Sequence, residues 1–166
     1  LSYFASVDGH GSASVSGNTL TVTPVADYNG DIEVTVTVTD GQVSDSGSFI
    51  LTVTPVNDAP VLAAVSDSSV AEDTDFELTL SASDVDGDAV TFSASVDGNG
   101  TASVDGSTLT VTPATDYNGD LTVSVTASDG NLSGSGSFTL TVTPVNDVPV
   151  VDVIADQSVA EDTDFE

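Results

Sequence analysis

The 166-residue chain has no lysine, arginine, cysteine, methionine or tryptophan. It carries 22 Asp and five Glu against one His, a formal net charge of -27. With no Lys or Arg there is no salt bridge of the usual kind, and the side-chain charges repel one another. Nucleic-acid binding is excluded, because counterion release needs cationic side chains at the phosphates. Attachment to an anionic membrane surface fails for the same reason. Absent cysteine removes disulfides, Cys-ligated zinc, iron–sulfur clusters and thiol nucleophiles. Absent lysine removes Schiff-base chemistry and isopeptide staples. No apolar run approaches the roughly 18 residues of a membrane span.

The composition still favours a folded protein. Hydrophobic residues make up 39% and charged residues only 16%. Val, Leu and Ile are spread among Thr and Ser, unlike the clustered charge of an acidic disordered tail. The chain starts at Leu1 rather than Met, so it reads as a segment of something longer.

Self-comparison shows a repeat. Val56-Asn57-Asp58-Ala59-Pro60 returns as Val145-Asn146-Asp147-Val148-Pro149, 89 residues later. Asp27-Tyr28-Asn29-Gly30-Asp31 returns at the same offset as Asp116-Tyr117-Asn118-Gly119-Asp120, and Ser69–Glu77 returns ending at Phe165-Glu166. No gap is needed over the 77 comparable positions, of which roughly two-thirds are identical. The expected frame is the C-terminal part of one repeat (1–58), a whole repeat (59–147) and the start of a third (148–166). A period of 89 suits a small domain rather than a solenoid unit.

Period-two alternation of β-branched residues, as in Glu33–Thr39, predicts β structure throughout. Within the whole repeat the spacing predicts seven strands, near 61–66, 75–82, 89–95, 101–104, 107–112, 120–128 and 135–143. The expected fold class is all-β: tandem Ig-like, cadherin-like antiparallel sandwiches. Tyr28 and Tyr117 precede the sixth strand, where a corner tyrosine would hydrogen-bond back across the corner. If successive strands alternate in direction, the Asp84–Asp88 turn faces the preceding repeat. Glu72-Asp73 and the Asp116–Asp120 loop then face the following one.

That reading gathers Asp27, Asp31, Asn57, Asp58, Asp84, Asp86 and Asp88 at the first junction. At the second it gathers Glu72, Asp73, Asp116, Asp120, Asn146 and Asp147. Two carboxylates about 4 Å apart repel by about 1 kcal/mol in water and about 4 kcal/mol at an effective dielectric of 20. A cation is needed to hold such a junction closed. Calcium takes six to eight hard oxygens, whereas magnesium prefers octahedral geometry and keeps its waters. Transition metals favour His or thiolate. Asp84-x-Asp86-x-Asp88 is no EF-hand, since Ala89 and Ser95 stand where Gly and Glu are required. The glycine-rich nonapeptide of calcium-binding β-helices is also missing. Asp8, Asp40, Asp97, Asp105 and Asp129 read as acids that solubilise turns. Because the first junction's upper Glu and the second's lower acidic turn fall outside these 166 residues, the first junction is expected to bind calcium better.

These motifs carry a resemblance. Val56–Pro60 resembles the cadherin linker, and Asp84-x-Asp86 resembles the acidic pair contributed by the domain below it. Glu72 and the Asp116–Asp120 loop resemble the acids contributed from above. The order TPVNDAPV, AEDT, SDVDGD, DYNGD is similar to the bacterial cadherin-like tandem repeats of giant surface adhesins. The resemblance covers the full chain and implies secreted, cell-surface arrays stiffened by interdomain calcium. The linker lacks the extra acid and the second Asn of animal cadherins.

Catalysis finds little footing. His10 sits in a turn where the second copy has Asn99, and neither a Gly-x-Ser-x-Gly elbow nor a phosphate loop is present. A glycosidase could use paired carboxylates, but the nine aromatic residues, none of them Trp, are few for a sugar cleft. The reading is non-enzymatic: an extracellular spacer whose partners are neighbouring repeats of the same chain. Two alternatives stay open, a self-assembling filament or surface layer built by homotypic contact, and a ligand- or sugar-binding Ig-like module.

Overall fold

Along Thr108–Pro113 the pleat turns Leu109 and Val111 inward and the alternating threonines, Thr108, Thr110 and Thr112, to the other face. The same alternation runs along Gly119–Ser128, which presents one apolar and one hydroxyl-rich face. A computed structural model describes every residue except 163 and 165. In chain order the first five strands are β1 (Ser2–Val7), β2 (Gly11–Ser16), β3 (Thr19–Pro24), β4 (Gly30–Thr39) and β5 (Ser44–Val53). After the linker come β6 (Val61–Leu62), β7 (Ser68–Ala71), β8 (Phe76–Thr79) and β9 (Ala82–Ser83). The repeat is completed by β10 (Thr91–Val96), β11 (Gly100–Asp105), β12 (Thr108–Pro113), β13 (Gly119–Ser128) and β14 (Ser133–Thr143). Among the described residues there is no helix.

The whole repeat is a two-layer sandwich. One sheet runs β10-β13-β14-β7, the other β11-β12-β8, and β6 pairs with β9 at the margin. Leu109, Val111, Leu121, Val123, Val125, Phe138, Leu140, Val142 and Leu80 form a continuous buried core. Each such side chain contributes about 1.5–3 kcal/mol when fully buried.

Of the seven expected strands one is cut short, with an unexpected strand following it, and another is divided. The stretch expected as one strand over 61–66 is a strand only at Val61–Leu62, paired with Ser83 and Ala82. The chain then crosses to the other sheet, and Ser68–Ala71 runs parallel to Leu140–Thr143. Asp67 marks the crossing, its Oδ1 accepting the Thr139 N–H at 2.7 Å. The stretch expected over 75–82 splits into β8 and β9, where Leu80 N–H turns aside to the Ser107 carbonyl. Local alternation looks the same whichever sheet a strand joins, so the switch is invisible to periodicity. The repeat therefore has nine strands rather than seven.

The corner tyrosine also differs from expectation. Tyr117 Oη donates forward to the Asp120 carbonyl at 3.0 Å, and Tyr28 does the same to Asp31 at 2.8 Å. Each ring folds over the glycine between, Gly119 (φ +137°) or Gly30 (φ +131°). A Cβ at Gly119 would sit 2.9 Å from the tyrosine oxygen. Only glycine gives both that φ and that clearance.

β1–β5 repeat β10–β14 at the 89-residue offset, with sheets β1-β4-β5 and β2-β3. Ile32 and Val34 are fully buried there, but Phe49 is 46% exposed while its counterpart Phe138 is 4% exposed. The second copy has β7 and β8 to cover these positions, and the first has no such strands in this chain. Described residues from 148 onward form no strand. The partners that β6 and β7 use in the whole repeat would here fall outside the 166 residues. The returning Thr163 and Phe165 lie outside the described residues.

Candidate metal centre

The turn between β9 and β10 folds on its own first acid. Asp84 Oδ1 accepts the N–H groups of Asp86 at 2.9 Å and Asp88 at 3.3 Å, and Gly87 supplies the positive φ. This brings carboxylate oxygens of Asp84, Asp86 and Asp88 within 4.8 Å of one another. Asp86 Oδ2 in turn accepts the linker N–H of Asp58 at 2.8 Å. The second oxygen of Asp84 is buried and has no hydrogen-bond partner. A buried anionic oxygen without a donor is costly, and no cationic side chain exists to reach it.

Above this turn a cleft of about 300 Å³ is lined by Asp27, Tyr28 and Asn29 of the first copy together with Asp58 and Asp86. Asn57 and Asp88 line an adjoining cleft with Asn29 and Asp86. Asp31 takes another course, its carboxylate accepting the Thr52 hydroxyl at 2.7 Å across the strand pair.

At the opposite end of the whole repeat, Asp73, Asp116 and Asp147 bring carboxylate oxygens within 4.8 Å of one another. They come from the β7–β8 turn, the β12–β13 loop and the linker. Asp73 Oδ1 accepts the Asp116 N–H at 3.2 Å. Glu72, 6% exposed, accepts the Val145 N–H at 2.5 Å through Oε1. Asn146 Nδ2 reaches the Asp147 carbonyl at 2.9 Å, as Asn57 Nδ2 reaches that of Asp58 at 3.0 Å. Asp120, like Asp31, is bound to a threonine hydroxyl, that of Thr141 at 2.7 Å.

The backbone is unusual at the same places. Among the described residues, the non-glycine residues with positive φ are Asp27, Asp73, Asp116 and Asp162, all between +57° and +61°. Aspartate tolerates this region better than most residues, yet it remains a conformation that surrounding structure must hold.

Of the acids read as turn solubilisers, four hold backbone donors. Asp8 accepts the Glu33 N–H at 3.1 Å and Asp97 the Thr122 N–H at 2.5 Å, each tying a turn to the neighbouring long strand. Asp40 and Asp129 close the β4–β5 and β13–β14 hairpins by accepting two N–H groups each. All four carboxyls lie below the usual aspartate range. The chief causes are the Glu33 N–H at Asp8, the Val43 N–H at Asp40, the Thr122 hydroxyl and N–H at Asp97, and the Asn57 amide at Asp129.

Asp129 is the junction residue that the sequence reading set aside. Its Oδ2 accepts Asn57 Nδ2 at 2.8 Å, so the hairpin after β13 meets the linker beside the Asp84 turn. The signal was available, because strand alternation puts the turn after the sixth strand at the same end as the turn after the second. His10 is exposed and stacks on Tyr28, ring centroids 4.4 Å apart.

The donor set is made of carboxylate and amide oxygens, and one of its carboxylates, that of Asp84, keeps a buried oxygen without a hydrogen-bond partner. Such a set fits a hard divalent cation of calcium's kind.

The bacterial Ig domain family matches residues 57–143, more than half of the chain, and a cadherin-like domain matches residues 2–54. No curated protein matches the chain. Human protocadherin-24 EC1-2 is similar in fold at a TM-score of 0.53 and 14% identity, over 89% of this chain and 83% of that one. Drosophila N-cadherin EC1-3 aligns at a TM-score of 0.46 and 13% identity, over 86% and 55% of the two chains. The endo-fucoidan hydrolase MfFcnA4 from glycoside hydrolase family 107 aligns at a TM-score of 0.46 and 21% identity, over 87% of this chain. The chain spans about a quarter of that hydrolase's length. Among the described residues no helix is long and apolar enough to cross a membrane. The family matches support a non-catalytic module of extracellular, adhesin-like type. On the match over 57–143, the chain belongs to the bacterial Ig domain family, in a cadherin-like tandem arrangement.

Proposed function

We propose that this chain is a stretch of spacer repeats from a bacterial cell-surface adhesin, with linkers stiffened by calcium. The frame is the C-terminal part of one repeat (1–58), a whole repeat (59–147) and the start of another (148–166). Calcium at the first junction would be held by Asp27, Asn57, Asp58, Asp84, Asp86 and Asp88, with Asp129 beside them. At the second it would be held by Glu72, Asp73, Asp116, Asn146 and Asp147. Asp31 and Asp120 stand behind these sets, engaged with Thr52 and Thr141. Bound calcium would cancel repulsion among acids that have no Lys or Arg to neutralise them. The chain's own residues would fix the turns, present the oxygens and orient the linker.

The observation that carries the reading is the buried, donor-less Oδ2 of Asp84, a residue whose carboxylate is gathered with those of Asp86 and Asp88 where the linker N–H of Asp58 docks. Calcium titration by calorimetry tests it, on the full chain and on a variant with Asp58, Asp84 and Asp86 all changed to Asn. Loss of the tighter sites in the variant is expected. The same stoichiometry and affinity in both proteins would overturn the reading.

A further inference from the structure

The two junctions of this chain are each half complete, and they show opposite halves of one device. At the first, the linker is gripped from below. Asn57 Nδ2 donates to Asp129 Oδ2 at 2.8 Å, and the Asp58 N–H donates to Asp86 Oδ2 at 2.8 Å. Pro60 is fully buried, and a Cβ at Gly134 would run into its carbonyl. From Asn57 onward the linker is therefore part of the following sandwich.

At the second junction the linker is gripped from above. β7 runs beside β14 as far as Thr143, and the Glu72 N–H donates to the Thr143 carbonyl at 2.9 Å. The buried Glu72 carboxylate then accepts the Val145 N–H. Through Val145 the linker is therefore part of the preceding sandwich.

Val56 and Val145 are the same position one period apart, as are Asn57 and Asn146. Combined, the two halves assign the valine N–H to the repeat above and the asparagine side chain to the repeat below. We infer that each junction contains a hinge confined to the Val-Asn pair, working between a Glu72-type clamp and an Asp129/Asp86-type clamp. Peptide planarity leaves only φ and ψ of the two residues soft between those anchors. The valine side chain is exposed, 76% at Val56 and 52% at Val145, so turning it sacrifices little packing. The array then bends by torsion at two residues, and the linker as a whole stays docked. The hinge is built from hydrogen bonds of the chain itself and does not depend on whether the junction takes calcium.

Amide hydrogen exchange on the full chain in excess chelator tests this with an internal control. Thr54–Asp58 and Thr143–Asp147 have the same sequence, Thr-Pro-Val-Asn-Asp, so their unprotected exchange rates should match. Among the described residues Val145 has a carboxylate acceptor and Val56 has none, whereas Asp58 has one and Asp147 has none. Val145 should exchange about tenfold or more slowly than Val56, and Asp58 about tenfold or more slowly than Asp147. Glu72→Ala should erase the Val145 protection and leave that of Asp58 intact, while Glu72→Gln, which keeps an acceptor oxygen, should restore most of it. Equal rates for Val56 and Val145, or for Asp58 and Asp147, would overturn the inference. That wild-type contrast decides the matter even if Glu72→Ala fails to fold. Calcium binding is absent from the experiment, so its result is separate from that of the titration.

Discussion

The rings of Phe76 and Phe138 lie 6.0 Å apart across the sandwich, tilted by 48°, and join the two sheets of the whole repeat. Phe49 occupies the same place in the first copy without that partner, and it stands half exposed. Truncating Phe138 to alanine should destabilise the protein by about 3–5 kcal/mol, the range for a large buried side chain. Phe49→Ala should cost far less, under about 1 kcal/mol, because it leaves no enclosed cavity. Urea unfolding of the two variants checks this, and equal losses would contradict it.

The corner formed by Tyr117 and Gly119 predicts an ordering of two variants. Tyr117→Phe removes one hydrogen bond to the Asp120 carbonyl and should cost about 1 kcal/mol. Gly119→Ala should cost more, since it strains a φ of +137° and crowds the tyrosine oxygen at 2.9 Å. Thermal melts should place Gly119→Ala below Tyr117→Phe, and the reverse order would refute the clearance argument.

Asp97 predicts a pH dependence of definite sign. The Thr122 hydroxyl and N–H hold its folded-state carboxyl below the ordinary aspartate value of about 3.9. A depressed folded value contributes stability that is present above the unfolded value and lost as pH falls through the folded one. Asp97→Asn should therefore be less stable than the parent at pH 7, and the gap should close as pH falls below about 4. Urea midpoints between pH 7 and pH 2 measure it, and a gap that widens in acid would exclude this role.

If calcium fills the junctions, it must raise stability by mass action. At free calcium 100-fold above the dissociation constant the gain is about 2.7 kcal/mol per site linked to folding. Magnesium at the same concentration should give much less, because it surrenders its waters reluctantly. Asp129→Asn should weaken the first junction and leave the second unchanged, since Asp129 Oδ2 accepts Asn57 Nδ2 at the first junction and its Oδ1 holds only its own hairpin. Scanning calorimetry with calcium, magnesium or chelator separates these outcomes.

Much of the molecule was legible from residue order. The 89-residue period, the all-β class and strands β10–β14 follow from alternation and turn chemistry, and the structure shifts their ends by only one or two residues. The alternation of strand direction also assigns loops to ends without coordinates. The same alternation places Asp129, in the turn after β13, at the end that holds the Asp84 turn. What escaped was of a different kind. The end of β6 at Leu62 and the crossing to a parallel β7 at Ser68–Ala71 leave no mark on local periodicity, because a residue's alternation is the same in either sheet.

The sequence by itself determined that this protein is a repeating β-sandwich of one charge sign, rich in short hard oxygen donors. Those properties reside in residue type and spacing. The tertiary structure alone decided which oxygens are spoken for. Asp31 and Asp120 go to threonine hydroxyls, Asp8 and Asp97 to strand N–H groups, and Asp84 keeps one buried oxygen with no donor. Twenty-two aspartates look alike in a chain with no cation. They become distinct only when packing assigns each a donor, a neighbouring carboxylate or neither.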